Sequence, residues 1–205
     1  MKKRTRIGCL FVAMLSLLWC DLGWARWLPL SPATGALVNP GQYGVFAEFA
    51  TRGGAATLRW NNSGVDEPFL VLAGDATTAA VVSGIGARRI MHIAGQNTAH
   101  FATWGGIWFQ PGRHFSAGIN PSIGGAIRLG PASSMHFAID THVFVGFGQI
   151  VPFEVDVGTV IGFEVGRKNR IGILVRPRAV WPGTRIPAIE VDVSFVIRAA
   201  VARRS

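Results

Sequence analysis

The sequence predicts an all-β fold, an antiparallel up-and-down barrel of about 8 to 10 strands with an apolar outside and a polar lumen. Three observations predict it: apolar and polar residues alternate over long runs, short turn sequences separate the runs, and no helical period follows residue 25. In Met135 to Gln149 the odd positions are mostly apolar, whereas the even positions are small, polar or charged. Because neighbouring side chains on a strand point to opposite faces, this run has one apolar and one polar face.

Strand-like runs follow one another from residue 43 onward. Ten are predicted, over residues 43–50, 55–61, 69–75, 80–95, 99–110, 114–130, 135–149, 153–165, 171–179 and 187–198. Within the fourth run, the stretch 86–89 is either a bulge or a turn between two strands. The links in the second half are only a few residues long, which favours consecutive antiparallel hairpins.

The amino-terminal residues predict export. Four basic residues occur in the first six positions, an apolar run covers Ile7 to Leu18, and Gly23-Trp24-Ala25 has the small residues of a cleavage site. This order of features is typical of a secretory signal peptide. The localisation that follows from it is outside the cytoplasm.

The chain is predicted to consist of a signal peptide (1–25), an extended leader (26–42), a β-barrel (43–199) and a C-terminal tail (200–205). The leader contains several prolines and glycines and ends in a turn at Asn39-Pro40-Gly41. Both cysteines, Cys9 and Cys20, lie in the signal peptide. No disulfide framework and no thiolate metal site is therefore predicted for the exported chain.

The charge pattern indicates which classes of partner the chain is expected to bind. The formal net charge is +9, but the arginines after residue 25 are scattered along strands and turns and are not clustered with aromatic residues. This pattern and export of the chain argue against nucleic acid as a partner. An anionic lipid surface agrees with the basic excess. The sequence identifies no protein partner.

Phenylalanines on the apolar face predict two aromatic girdles. One row is Phe109, Phe115, Phe147 and Phe153, and the other is Phe101, Phe137, Phe163 and Phe195. Phe137 and Phe147 on one predicted strand are ten residues apart, and so are Phe153 and Phe163 on the next. At about 3.3 Å per residue and a tilt near 40°, this spacing separates the rows by roughly 25 Å along the barrel axis. That is the height of the apolar band of a membrane barrel, so the apolar face is predicted to meet lipid.

In its alternation, strand lengths and aromatic spacing, the region 43–199 resembles the small outer-membrane β-barrel proteins of Gram-negative bacteria as an architectural class. The resemblance implies an integral, porin-like outer-membrane protein with a structural or weakly channel-forming role, without enzymatic activity or a cofactor. It implies membrane lipid, lipopolysaccharide included, as the partner. Pro121, in the middle of a strand, departs from the usual pattern because proline cannot donate to the ladder.

Charged residues of both signs share the even phase and are predicted to pair in the lumen. The predicted network comprises Arg128, Asp140, Glu154, Asp156, Glu164, Arg176, Arg178, Glu190 and Asp192. In the last hairpin Arg176 is predicted to face Glu190, or Arg178 does so if the register moves by two residues. Asp140 and His142 share a face and could form an acid–base pair or hold a metal. Hydrogen bonding within the lumen is the simpler interpretation, so no metal site is predicted.

Two alternative functions stay open. His114-Phe115-Ser116 resembles the His-x-Ser element of outer-membrane lipid A deacylases, in which a histidine activates a serine for ester hydrolysis. The resemblance makes His114 and Ser116 the candidate catalytic pair of a membrane-embedded lipid hydrolase, although Ala117 stands where that family has asparagine. The other alternative is a soluble periplasmic β protein that binds an apolar ligand between its sheets.

Overall fold

The described part of the chain is a closed barrel of ten antiparallel strands in up-and-down order. The predicted signal peptide, residue His114 and the end of the predicted tail lie outside the described residues. The computed structural model describes residues 27–30, 32, 34, 37–61, 63–93, 97–109, 115–147, 153–167, 169–182 and 187–202.

Each strand pairs with its neighbours in sequence, and pairing of the first with the last closes the barrel. The strands are β1 (Gln42–Ala50), β2 (Gly53–Asn61), β3 (Asp66–Asp75), β4 (Ala80–His92), β5 (Thr98–Phe109), β6 (Phe115–Gly130), β7 (Ser133–Gly146), β8 (Phe153–Val165), β9 (Arg170–Pro182) and β10 (Ala188–Ala202). Every predicted run overlaps one of these strands, so the predicted barrel is confirmed.

The undecided stretch 86–89 lies inside β4. Its register continues without interruption, with Gly86 opposite Phe69 on β3 and opposite Trp104 on β5. The stretch is therefore neither a bulge nor a turn. A register shift occurs instead near the end of β6, between Arg128 and Gly130.

The two faces of the wall separate as the alternation predicts. Large apolar side chains are exposed on the outward face of every strand, and Ile123 and Ile139 have 66% and 62% of their surface accessible. The inward positions are buried and have even numbers on most strands. On β2 and β3 the inward positions have odd numbers, because the first hairpin pairs Glu48 with Ala55 and paired residues share a face.

The barrel has two distinguishable ends. We call one end the terminal end, because β1 begins and β10 ends there. It also carries the links β2–β3, β4–β5, β6–β7 and β8–β9. The loop end carries the other five links. The leader runs between these ends through the lumen. Trp27 lies beside Gly53 and Asp75 at the loop end, and Val38 lies beside Gly44 and Asn61 at the terminal end.

The lumen is apolar in part, which differs from the predicted polar lumen. Trp27 and Leu28 of the leader join a buried cluster with Phe69, Val71, Ala73, Val82, Trp104, Trp108 and Phe144. Leu30 and Val38 join a second cluster with Phe46, Ala138, Val160, Leu174 and Val196. The reason for the difference is the leader, because its apolar side chains need apolar partners on the inner wall.

Candidate functional site in the barrel lumen

Buried charges form a cluster in the lumen on the side of β7 to β10. We call it the arginine cluster, and its members are Arg52, Asp140, His142, Asp156, Arg176, Arg178, Glu190 and Asp192. All of these side chains are at most 5% exposed. Charges so deeply buried require partners, and the strands on both sides of β9 supply them.

Two arginines on β9 hold the arginine cluster together. Arg176 donates from Nε to Oδ1 of Asp140 at 3.0 Å and from Nη2 to Oδ1 of Asp156. Arg178 donates to Oδ2 of Asp156 at 2.8 Å and to Oε2 of Glu190 at 2.9 Å. Both arginines thus lie between two acidic strands, the arrangement that the hairpin pattern predicts.

The register of the last hairpin determines which arginine faces Glu190. Arg178 is opposite Glu190 and Arg176 is opposite Asp192, which is the second of the two predicted registers. Arg52 adds a third guanidinium, 3.0 Å from Oε2 of Glu190. Arg52 could not be found from the sequence, because it lies in the β1–β2 turn and reaches β10 only when the barrel closes.

His142 extends the arginine cluster toward β6. Its Nε2 lies 2.9 Å from Oδ2 of Asp140 and 3.9 Å from Oδ1 of Asp156, and its ring contacts the side-chain amide of Asn120. Asp140 and His142, which the sequence places on one face, therefore contact each other. Within the described residues, no group of three or more His, Cys, Asp or Glu side chains is arranged to hold a metal ion.

A second set of charges lies in the lumen on β2 to β4. Arg88 donates from Nε to Oε2 of Glu67 at 3.0 Å, and Nη1 of Arg59 lies 4.0 Å from the same oxygen. All three side chains are fully buried. Sequence reasoning missed them because the alternation in the first half of the chain is less regular, so no phase could be assigned there.

Carboxylates of the wall bind backbone N–H groups of the leader. The N–H of Trp27 donates to Oδ2 of Asp75 at 2.9 Å. The N–H of Leu30 donates to both carboxylate oxygens of Glu48, at 2.9 and 3.0 Å. The N–H of Val38 donates to Oε1 of Glu67 at 2.6 Å. Buried backbone groups need partners, and here charged side chains provide them where no neighbouring strand does.

Donors of the wall bind the carbonyl groups of the leader in the same way. Arg59 and Arg88 donate to the carbonyl of Thr34 at 2.6 and 3.3 Å. Arg198 donates to the carbonyl of Leu37 at 2.7 Å. With Asn61, which donates to the carbonyl of Val38 at 2.9 Å, residues from β1, β2, β3, β4 and β10 hold the leader.

The remaining residues of the predicted network differ in their placement. Glu154 and Glu164 are buried in the lumen, and Oε2 of Glu164 lies 3.8 Å from Nε2 of His136. Arg128 is exposed and donates to the carbonyls of Gly130 and Pro131 at 3.1 and 3.2 Å. Its pairing with Ser134 keeps it in the inward phase, but it lies at the terminal end of β6, where its side chain reaches the turn and not the buried network.

The eight phenylalanines predicted as girdles are all exposed on the outer face. At the loop end Phe109 pairs with Phe115, and Phe115 stacks on Phe147 with ring centroids 4.9 Å apart. Phe153 is at the same end, whereas Phe101, Phe137 and Phe163 lie toward the terminal end. Phe195 lies near neither end. It is seven residues from both ends of β10, because that strand continues to Ala202.

Ser116, the candidate nucleophile, points into the lumen. It is 1% exposed and is paired with Trp108 on β5 and with Gly146 on β7. Its predicted partner His114 lies outside the described residues. The orientation of Ser116 places its hydroxyl on the side of the wall opposite to the apolar outer face.

Three inward-facing glycines make room for the ring of Trp104. A Cβ on Gly84 would lie 2.7 Å from Cε3 of Trp104, and one on Gly106 would lie 2.9 Å from its Cζ3. A Cβ on Gly86 would overlap Cβ of Trp104 and lie 2.5 Å from the carbonyl oxygen of Thr103. The indole can therefore lie close to the wall and leave space for the leader.

We expect Gly86→Ala to lower the free energy of unfolding by about 1 to 3 kcal/mol, because the added methyl overpacks a closed site. Gly74→Ala is the matched control, since a Cβ there meets no atom within 4 Å. Its effect should stay within about 0.5 kcal/mol. Urea unfolding followed by tryptophan fluorescence measures both. Equal stability of the two variants would contradict the packing described for Trp104.

No family model matches the chain, and no curated protein matches it. The described residues contain no helix that is long and apolar enough to cross a membrane.

Proposed function

We propose that this chain is an integral β-barrel protein of the outer membrane of a Gram-negative bacterium, with a closed lumen and a structural role. The observation that carries the proposal is the apolar outer face, to which all ten strands contribute exposed large side chains. Soluble monomers rarely expose contiguous apolar patches larger than about 300 to 600 Å². An apolar surface that surrounds an entire barrel is stable only in an apolar solvent, and lipid is such a solvent.

The distribution of charge supports the same proposal. The exposed ion pair Arg89–Asp66 and the exposed residues Arg128 and Arg167 all lie toward the terminal end, where water and lipid headgroups would solvate them. A closed barrel also leaves no unpaired strand edge, which is the condition for a sheet to exist in lipid. The partner that fits this surface is membrane lipid, with lipopolysaccharide on the side of the outer leaflet.

The two alternatives fit the geometry less well. A soluble carrier of an apolar ligand needs an apolar cavity and a polar outside, whereas this barrel has a filled lumen and an apolar outside. A lipid hydrolase built on Ser116 needs access from the bilayer, and the hydroxyl of Ser116 faces the lumen. No cofactor is needed for the proposed role.

Cysteine labelling on intact cells tests the location and the orientation together. Barrels of this class have short periplasmic turns and longer outer loops, and the longest link here, residues 147–152, is at the loop end. Ala76 at the loop end and Asn169 at the terminal end are both exposed in turns. No cysteine follows Cys20, so a single introduced cysteine reports its own position.

We expect an impermeant thiol reagent to label Ala76→Cys on intact cells and to label Asn169→Cys only after the cells are opened. Labelling of Asn169→Cys alone would show the reverse orientation. If neither variant reacts before lysis and both react after it, the protein is not exposed at the cell surface, and the proposal fails.

A further inference from the structure

The leader fills the lumen as a bound segment and not as a part of the wall. Its described residues belong to no strand, and β1 begins only at Gln42. Side chains of the wall hold it at Trp27, Leu30, Thr34, Leu37 and Val38 through its backbone groups. Recognition of this kind resembles the binding of an extended peptide in a groove.

The wall is also shaped to fit the leader. A Cβ on Gly44 would lie 2.8 Å from Cγ2 of Val38, and one on Gly53 would lie 2.7 Å from Cε3 of Trp27. Glycine at these two inward positions leaves room for the leader at both ends of the lumen. The apolar side chains of the leader then complete the two clusters that block the passage.

The interior around the leader carries an excess of negative charge. The buried charged residues of the described chain comprise nine carboxylates and six arginines. Three of the carboxylates, Asp75, Glu48 and Glu67, accept N–H groups of the leader. These N–H groups carry no net charge, so without the leader the lumen keeps its excess of carboxylates and water replaces the lost donors.

We infer that the leader is a separable stopper and that the barrel without it is a water-filled pore with a preference for cations. Eight strands leave an interior that side chains just fill, so ten strands leave additional room, and here the leader occupies it. A lumen lined by charge of one sign raises the local concentration of counterions. The inference goes beyond the proposed closed, structural role, and it depends on the membrane location only for the conductance measurement.

The test removes the leader from a barrel that has already folded. The chain is expressed without residues 1–25 and with a protease recognition sequence between Asn39 and Pro40, which are both exposed. After folding and cleavage, the leader is washed off, and its loss is followed by mass. Val160→Cys is the reporter, because Val160 is fully buried in the cluster that contains Leu30 and Val38. Ala76→Cys, exposed at the loop end, is the control.

Before cleavage we expect slow reaction of Val160→Cys with charged thiol reagents. After the leader is lost, a cationic reagent should react at least about tenfold faster than an anionic one of the same size, because the lumen is negative. Ala76→Cys should react equally in both states. In planar bilayers, discrete conductance steps should appear only after the loss, with a reversal potential that indicates cation preference.

Three results would overturn the inference: a folded barrel that has lost the leader and shows no faster reaction, equal rates for the two reagents, or a leader that leaves only when the barrel unfolds. Heat-modifiable gel mobility verifies that the barrel is intact. Faster thiol reaction in detergent without insertion into bilayers would contradict the proposed membrane location and leave this inference standing.

Discussion

Replacing Arg178 with alanine is expected to lower the free energy of unfolding by about 3 to 5 kcal/mol, the usual cost of breaking a buried ion pair. The side chain of Arg178 is fully buried and hydrogen-bonds to Asp156 and Glu190. Its removal leaves both carboxylates short of a donor. Arg167→Ala, in an exposed turn, is the control and should change stability by less than about 0.5 kcal/mol. Urea titration of the folded barrel measures both.

A double-mutant cycle tests the register itself. Because Arg178 lies 2.9 Å from Glu190, we expect Arg178→Ala and Glu190→Ala to be coupled by about 0.5 to 3 kcal/mol. Arg176 faces Asp192 instead, so its cycle with Glu190 should give a clearly smaller coupling. Additivity in the first cycle and strong coupling in the second would mean that the hairpin pairs in the other register.

The second prediction with a large expected effect on folding stability concerns the apolar outer face. Val157→Arg places a charge on the outward side of β8, four residues from Phe153, and Val165→Arg places the same charge at the end of that strand. For a barrel in lipid, an arginine near the midplane costs about 2 to 4 kcal/mol and one near the interface about 0 to 1. We therefore expect Val157→Arg to be much the more harmful change when folding is measured in phospholipid vesicles.

The comparison of these two variants also separates lipid from water as the surrounding solvent. Val157 and Val165 are exposed on the same face of one strand, with 40% and 38% of their surface accessible. On a water-exposed surface, each substitution would change stability by no more than about 0.5 kcal/mol. Equal, small effects in vesicles would therefore contradict the lipid-facing assignment.

The strands and the inward phase of the second half could be predicted because alternation is a local property of the sequence. Arg178 and Glu190 are both at even positions and therefore point to the same face of the sheet, independently of the rest of the chain. The short hairpin between their strands limits the pairing to two registers. Arg52 could not be placed in this way, since it reaches Glu190 only through closure of the barrel. Arg128 has the inward phase that the alternation predicts, but phase alone does not show that it lies at the end of the barrel, where its side chain is exposed.

The leader was the largest part of the site that sequence reasoning missed. Its prolines and glycines indicate extended chain, but nothing local shows that an extended segment will be surrounded by a barrel. Its binding groups, Glu48, Glu67 and Asp75, are spread over the first half and converge only in the folded state. A segment without periodicity gives no hydrophobic pattern from which its partner surface could be inferred.

The path of the leader constrains the order in which the molecule folds. The seam between β1 and β10 pairs Gln42 with Ala202, the strand-paired residues of the described chain that are farthest apart in the sequence, and the leader precedes that seam. It can enter sideways only before β1 and β10 join, since a closed wall admits it only end first. Contacts of such sequence separation form slowly. We expect closure of the seam to limit the folding rate, and chains whose leader is still outside to accumulate as the slow population.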